Sequence, residues 1–289
     1  MTGTGVALAR SLRPEQWIKN GFVGAPLIFA DDIFDGPLFA RAALAVIAFC
    51  LASSATYLLN DVLDREADRL HPRKRDRPIA AGHLRVATAL TASAVLAVGS
   101  VGLGAVIGLR FTLCILAYLA ITLCYTLWMK HEVILDVMGI AAGFVVRVVA
   151  GCAAIAVVPS PWILICTGLL AMLLGFGKRR YEAVTLDHPQ RAHSRRVLAN
   201  YSGPFLDAML VSTATLTIAA YAAYTATGGT TPWMVLTLPV VAYGVLRYLW
   251  LLLHAAQGES PTQIAWTDRP IQISVILWII LSIAVLGSA

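Results

Sequence analysis

The stretch Asn60–Gly82, NDVLDREADRLHPRKRDRPIAAG, packs five acids and six bases directly behind an apolar run. Asn60, Asp61, Asp64 and Asp68 recur at intervals that a helix turns to one side. At about 100° per residue they fall within about 100° of its circumference, provided the helix continues. Three carboxylates on one face repel one another and need a counter-charge. Hard oxygen donors of this kind suit Mg2+, which takes one or two carboxylates together with waters and substrate phosphates. Asp61, Asp64 and Asp68 are then the ligands on which turnover depends, with Asn60 as a further ligand or orienter. The plainer reading is a solvated helix of mixed charge, its acids paired with Arg65, Arg69, Arg73 and Lys74. The bases Arg73, Lys74, Arg75 and Arg77 suit phosphate oxygens, although a cytoplasmic charge signal would look the same. Taken together, the stretch points to a Mg2+–diphosphate site.

Further chemistry-bearing residues stand in or beside apolar runs. Arg147 falls in the middle of one, where an ionisable side chain is costly and usually functional. Asp136 lies eleven residues earlier, about 20° around the same helix and about 16 Å along it. Gly143 and Gly139 lie on or near that line and leave room for a neighbouring helix or a ligand. Arg147 is expected either to meet a phosphate in a cavity or to pair with a buried acid such as Asp207. Lys130 follows a helix end carrying Tyr125 and Trp128, and reads as a ligand-binding or a snorkelling lysine. Lys178 and Glu182 stand four apart and could form a helical salt bridge, which leaves Arg179 better placed to reach a ligand. Lys19 and Asn20, with Gln16, could complete a phosphate shell.

These residues need a scaffold, and the composition says which kind. Only 13% of the 289 residues are charged and 58% are hydrophobic, against about 25% and 45–50% in soluble domains. No stretch has a soluble composition, so the chain reads as one membrane domain over 1–289. Nine candidate spans are expected, near 16–30, 38–60, 84–108, 111–129, 133–157, 161–177, 204–226, 232–253 and 270–288. The first is short, with the polar lead RPEQWIKN, and serves as an uncleaved signal. With the N-terminus in the cytoplasm, 18 of the 22 Lys and Arg fall on inside segments, which fits the positive-inside rule. The net charge of +6 is therefore read as topology, and no nucleic-acid partner is expected. The five cysteines lie in apolar runs without CxxC spacing and read as core residues. Asp31, Asp32 and Asp35 face the outer side and are given no catalytic role. The fold class is thus an all-α integral membrane protein, a nine-helix bundle of the cell (inner) membrane with its active site at the cytoplasmic end.

NDVLDREAD resembles the NDxxDxxxD motif of the UbiA superfamily of intramembrane prenyltransferases, whose members have nine helices and a cytoplasmic-end active site. Many members carry a second motif, DxxxD, after the sixth span. The matching region here, GFGKRRYEAVTLDHPQ, has Glu182 and Asp187 but no DxxxD, and is instead basic. LRPEQWIKN, KHEVILDV, GFVVRVVAG and GKRRYE resemble the branch that moves 5-phosphoribose from phosphoribosyl pyrophosphate (PRPP) to a polyprenyl phosphate, for arabinose donors of cell-wall glycans. The resemblance implies Mg2+ as cofactor, PRPP and a polyprenyl phosphate lipid as partners, and site roles for Lys19, Asn20, Tyr125, Lys130, Asp136, Arg147, Lys178, Arg179 and Glu182. A prenyltransferase for an aromatic or other small acceptor is the alternative. A transporter of an anionic lipid or metabolite is disfavoured, since polar residues crowd one face only. The sequence leaves a homo-oligomer open.

Overall fold

The computed structural model describes residues 3–29, 35–71, 74–185, 196–228, 231–254 and 261–287. Asp31, Asp32, Arg73 and Asp187 therefore lie outside the described residues. The helices are α1 (Thr4–Ser11), α2 (Gly21–Gly24), α3 (Gly36–Leu63), α4 (Arg65–Leu70), α5 (Val86–Ile107), α6 (Leu109–Leu127), α7 (Leu135–Ala154), α8 (Pro161–Thr185), α9 (Gly203–Ala223), α10 (Leu238–His254), α11 (Pro261–Thr267) and α12 (Arg269–Leu286). Eight of them, α3, α5 to α10 and α12, are long and apolar enough to cross a membrane, some with adjoining turns.

The expected span at 16–30 is not one helix. It is a 3-10 stretch Pro14–Asn20, the single turn α2, and a second 3-10 stretch Ala25–Phe29. Gly21, Gly24 and Pro26 fall too close together for an uninterrupted α-helix. The segment lies antiparallel along α3. Trp17 Nε1 donates to Ser54 Oγ at 3.0 Å, and Asn20 Nδ2 to Ser53 Oγ at 3.2 Å. It also presses on α7: a Cβ at Gly151 would stand 2.0 Å from the Val23 carbonyl oxygen, so only glycine fits there.

Around the bundle the helices follow chain order. α3 packs on α5, α5 on α6, α6 on α7, α7 on α8, α8 on α9, α9 on α10 and α10 on α12, while Ala25–Phe29 touches both α7 and α12 and closes the ring. Apolar side chains gather in four clusters, two of them large. One joins α3, α6 and the far end of α7 around Phe49, Phe111 and Tyr118. The other joins α7 through α10 around Leu173, Phe176 and Leu206. Helix α7 feeds both, through Ala150 and Ala154 in the first and Val137 in the second.

Two local features set the ends of α3. Asp35 caps α3 by accepting from Leu38 N at 3.2 Å, which gives that acid a structural task. At the other end α3 stops at Leu63 and Asp64 sits in the bridge region (φ −88, ψ 2) before α4 begins. Helical hydrogen bonds still cross the junction, from Asp64 N to Asn60 O at 2.9 Å and Asp68 N to Asp64 O at 2.8 Å. The chain bends there without losing its helical register.

Candidate active site

The bend separates the four polar residues into two small groups. Asp61 and Asp68 are buried, 2% and 3% exposed, and share one base. Arg77 Nη1 donates to Asp61 Oδ1 at 3.0 Å and to Asp68 Oδ2 at 2.6 Å. Arg13 Nη2 reaches the same Asp61 oxygen at 2.5 Å. Asp64 turns the other way: Lys130 Nζ donates to its Oδ1 at 2.6 Å, and Asn60 Nδ2 to its Oδ2 at 3.1 Å. Burial pushes the Asp68 carboxyl above its ordinary range, and the Arg77 charge and hydrogen bond oppose that shift. A polar cleft of about 370 Å³ opens beside Asp61, lined by Arg13, Glu15, Gln16, Asp76 and Arg77 among others.

Two of the expected counter-ions, Arg65 and Arg69, turn to other partners. Arg69 pairs with Glu66 at 3.1 Å and donates to the Ala80 carbonyl at 3.1 Å, and Arg65 stands 3.9 Å from Glu66. Arg77, Lys130 and Arg13 neutralise the aspartates instead. Arg75 is exposed, and Lys74 is half-buried close enough to act on Asp68.

Deeper along α7 lies a second polar centre of opposite character. Arg147 is 5% exposed. Its Nε donates to Asn20 Oδ1 at 2.9 Å, Nη1 to the Gly143 carbonyl at 3.0 Å, and Nη2 to the Tyr118 hydroxyl at 2.9 Å. The guanidinium also lies 4.6 Å from the Tyr118 ring centroid. Every one of these partners is neutral, and among the described residues no carboxylate comes within ion-pair distance of Arg147. Asp207, considered as its partner, pairs with Arg180 at 2.5 Å. Lys19 Nζ donates to Gln16 Oε1 at 2.6 Å. Gly139 makes room for Tyr125 and Met129, and Gly143 for Tyr118 and the arginine itself.

Asp136 does not join this centre. It is fully buried and faces Arg179 Nε at 2.9 Å, an ion pair whose N–H is not aligned as a hydrogen bond. Arg179, expected to reach a ligand, is itself fully buried and also donates to Glu182 Oε2 at 2.5 Å. Two acids hold it, because its position on α8 points at α7 rather than at the cleft. Glu182 pairs with Arg179 three residues back, and Lys178 is half-buried beside them. Tyr201 completes the cluster: its hydroxyl donates to Asp136 Oδ1 at 2.7 Å and accepts from Ile134 N at 2.8 Å. Burial and the Asp136 hydrogen bond push that phenol well above its usual range. Ile134 adopts φ +70, a strained conformation for a β-branched residue. The cluster therefore pins the loop that carries Lys130.

Sequence reasoning missed Arg13 and Tyr201. Arg13 stands directly before Pro14, with φ 54 and ψ 60, a rare conformation that its place in the sequence hints at only weakly. Nothing in the sequence signals Tyr201. As to a metal, no three acid, His or Cys side chains among the described residues converge enough to hold an ion alone. The pair Asp61 and Asp68 nevertheless fits one. A single cationic nitrogen already stands between their oxygens, and hard oxygen donors suit Mg2+ when substrate oxygens supply the remainder.

Comparison with known proteins gives a consistent picture. The model of the UbiA prenyltransferase family matches residues 21–267. The chain is 33% identical over 284 residues to a decaprenyl-phosphate phosphoribosyltransferase of Corynebacterium glutamicum, covering 94% of this chain and 84% of that one. It is 31% identical over 287 residues to the protein of the same name from Mycolicibacterium smegmatis, covering 94% and 90%. A UbiA homolog from Archaeoglobus fulgidus, solved with DMAPP and Mg2+, superposes with a TM-score of 0.77 at 19% identity, over 98% of this chain and 99% of the other. This last likeness speaks to the fold.

Proposed function

We propose, for a chain that belongs to the UbiA prenyltransferase family, that it transfers 5-phosphoribose from PRPP to a polyprenyl (decaprenyl) phosphate and releases diphosphate. It is a multi-pass integral membrane enzyme that transfers a group. The observation carrying the finer reading is the presence of two cationic centres at different depths. One, at the cytoplasmic end, is interleaved with aspartates. The other, Arg147 with Lys19 nearby, lies within the bundle and has only neutral partners among the bonds described. A water-soluble diphosphate donor suits the first, and a lipid phosphate entering sideways suits the second. A neutral acceptor would need no second cationic centre, whereas an aromatic carboxylate could occupy one. The relatives named as phosphoribosyltransferases over most of their length support the same reading.

In this reading Asp61 and Asp68 would hold Mg2+ against the donor's diphosphate, and Asp64, with Asn60, would join them on leaving Lys130. When bound, the ion neutralises charge that builds on the leaving group. The chain's own residues do the rest. Arg77, Lys74 and Lys130 bind donor phosphate oxygens and stabilise the departing charge, with Arg73 and Arg75 as further candidates for the donor's phosphates. Arg147, Lys19 and Asn20 orient the acceptor phosphate, which is already an anion at neutral pH and needs no strong base. Tyr125 borders that centre, and Asp136, Arg179 and Glu182, with Lys178, position the Lys130 loop. Attack from the face opposite the diphosphate inverts the anomeric carbon, giving a β product from an α donor. Positioning supplies much of the rate.

We further infer nine crossings within a single domain over 1–289, with the N-terminus in the cytoplasm. The first segment supports this count, since it runs beside α3 from the level of Asp61 past Ser53 to Gly24 opposite Val46. The product would feed arabinose donors for cell-wall glycans. A paired assay on purified protein with Mg2+ tests the function. Label passing from PRPP into polyprenyl phosphate, with no product from prenyl diphosphate and 4-hydroxybenzoate, is the expected outcome. Product only in the second tube would replace the reading with aromatic prenylation.

A further inference from the structure

We propose that Arg13 is a donor-binding residue that serves in the free protein as a counter-ion of Asp61, and is handed from that carboxylate to a donor phosphate when the metal–diphosphate arrives. This rests on the phosphoribosyl-transfer reading above. Three observations and one electrostatic argument carry it. Arg13 holds a left-handed backbone, φ 54 and ψ 60, immediately before Pro14. Such a conformation in a non-glycine residue persists only where its surroundings over-determine it, and it clusters at functional sites. The surroundings here are Asp61 Oδ1 at 2.5 Å and the Tyr57 ring, whose centroid lies 5.0 Å from the guanidinium carbon. Second, Asp61 Oδ1 also accepts from Arg77 at 3.0 Å, so Arg13 can leave without stranding a buried carboxylate. Third, the Arg13 side chain is 21% exposed and lines the polar cleft with Gln16 and Arg77, so a phosphate in the cleft is within its reach. Fourth, a divalent cation taken up by Asp61 repels the guanidinium beside it. The planar fork then turns to phosphate oxygens, which it binds two at a time.

The exchange couples metal and donor. Metal alone must displace Arg13 and gains nothing in return, whereas metal with diphosphate gives Arg13 a new partner. Arg13→Gln should therefore act in opposite directions on the two ligands. In detergent-purified protein, Mn2+ binding without donor, read by electron paramagnetic resonance, should tighten about fivefold, the low end of common coupling strengths. PRPP binding with Mg2+, read by calorimetry, should weaken about tenfold or more. Arg85→Gln removes the same charge from an exposed position outside the cleft and should change Mn2+ affinity less than about twofold on the same scale. Arg13→Lys keeps the charge but lacks the fork. It should leave Mn2+ affinity near wild type and weaken PRPP binding, so it decides the matter if the glutamine variant does not fold. Arg13→Gln weakening both ligands, or altering neither, overturns the proposal, as does Arg13→Lys binding PRPP like wild type. Asp64→Asn separates the two readings. If wild type binds Mn2+ no better than this variant, the metal assignment itself fails. If Asp64→Asn loses Mn2+ while Arg13→Gln changes nothing, only the role of Arg13 falls.

Discussion

Replacing Arg147 with methionine separates catalysis from folding at the deeper centre. Methionine approximates the apolar stem of arginine and removes the charge and all its donors. Three acceptors lose a partner: Asn20 Oδ1, the Gly143 carbonyl and the Tyr118 hydroxyl. The Gly143 carbonyl is an internal helix acceptor and keeps its backbone bond, so two groups bear the loss. Each unsatisfied buried group costs about 1–3 kcal/mol. Against this, a charged side chain at mid-membrane depth costs about 2.5–3.5 kcal/mol on insertion scales, and that burden disappears. The two terms are of similar size, and no carboxylate is left unpaired. Arg147→Met should therefore shift stability by no more than about 2 kcal/mol. Its effect on turnover should be of another order. Loss of one preorganised donor to a developing or reacting anion costs about 10²–10³-fold. The checks are monodispersity and thermal unfolding in detergent, set beside transfer of labelled phosphoribose into lipid. Stable, monodisperse protein with wild-type turnover would refute the anion-binding role. Protein that aggregates on extraction would show that Arg147 holds α7 to α6 and the first segment, contrary to the balance above.

Three further outcomes are expected. Asp64→Asn weakens the Mg2+ dependence and lowers the rate at fixed metal, and wild-type turnover in EDTA would sink the metal assignment. Tyr201→Phe deletes the bonds to Asp136 and Ile134 N; it should destabilise by about 1–3 kcal/mol and raise KM for the donor more than it lowers kcat, measured by steady-state kinetics, because the Lys130 loop loosens. Gly151→Ala drives a Cβ to 2.0 Å from the Val23 carbonyl oxygen, where backbone must shift; thermal stability should fall by about 1–3 kcal/mol, and an unchanged unfolding temperature would show that the first segment is free to move.

The fold was largely legible because lipid imposes a strong rule on composition. Runs such as Val86–Ile107 and Arg269–Leu286 admit hardly any charged side chains, and the structure makes each a helix. The first segment escaped that rule. Its mean apolarity suited a helix, but Gly21, Gly24 and Pro26 decide the local geometry, and hydropathy does not weigh them. In the site, the spacing of Asp61, Asp64 and Asp68 pointed to a common polar end, and the mid-span position of Arg147 pointed to a buried cation. Neither spacing nor depth names a counter-ion. Arg13 lies 48 residues from Asp61 and Lys130 lies 66 from Asp64, so both pairings are made by the packing of distant elements. Arg179 shows the converse. Its chain neighbours Lys178 and Glu182 suggested a surface pair, while the fold turned it inward onto Asp136.

The contrast between the two centres has a consequence for the order of events. At the Asp61 end of the bundle Arg13, Arg77 and Lys130 each already have a carboxylate, so an incoming phosphate must compete with an aspartate for its base. That competition is favourable only when something else neutralises the aspartate, which ties donor binding to the metal. At Arg147 no such competition exists: the neutral acceptors Asn20, Gly143 and Tyr118 satisfy geometry but leave the charge uncompensated. A buried cation in a medium of low dielectric attracts an anion strongly. The lipid phosphate should therefore bind without donor or metal, and the donor only together with metal. In equilibrium binding, polyprenyl phosphate should keep its affinity in EDTA while PRPP loses nearly all of its own. A lipid phosphate whose affinity also collapsed in EDTA would mean that both anions meet at one centre, and that Arg147 is a structural cation inside the bundle.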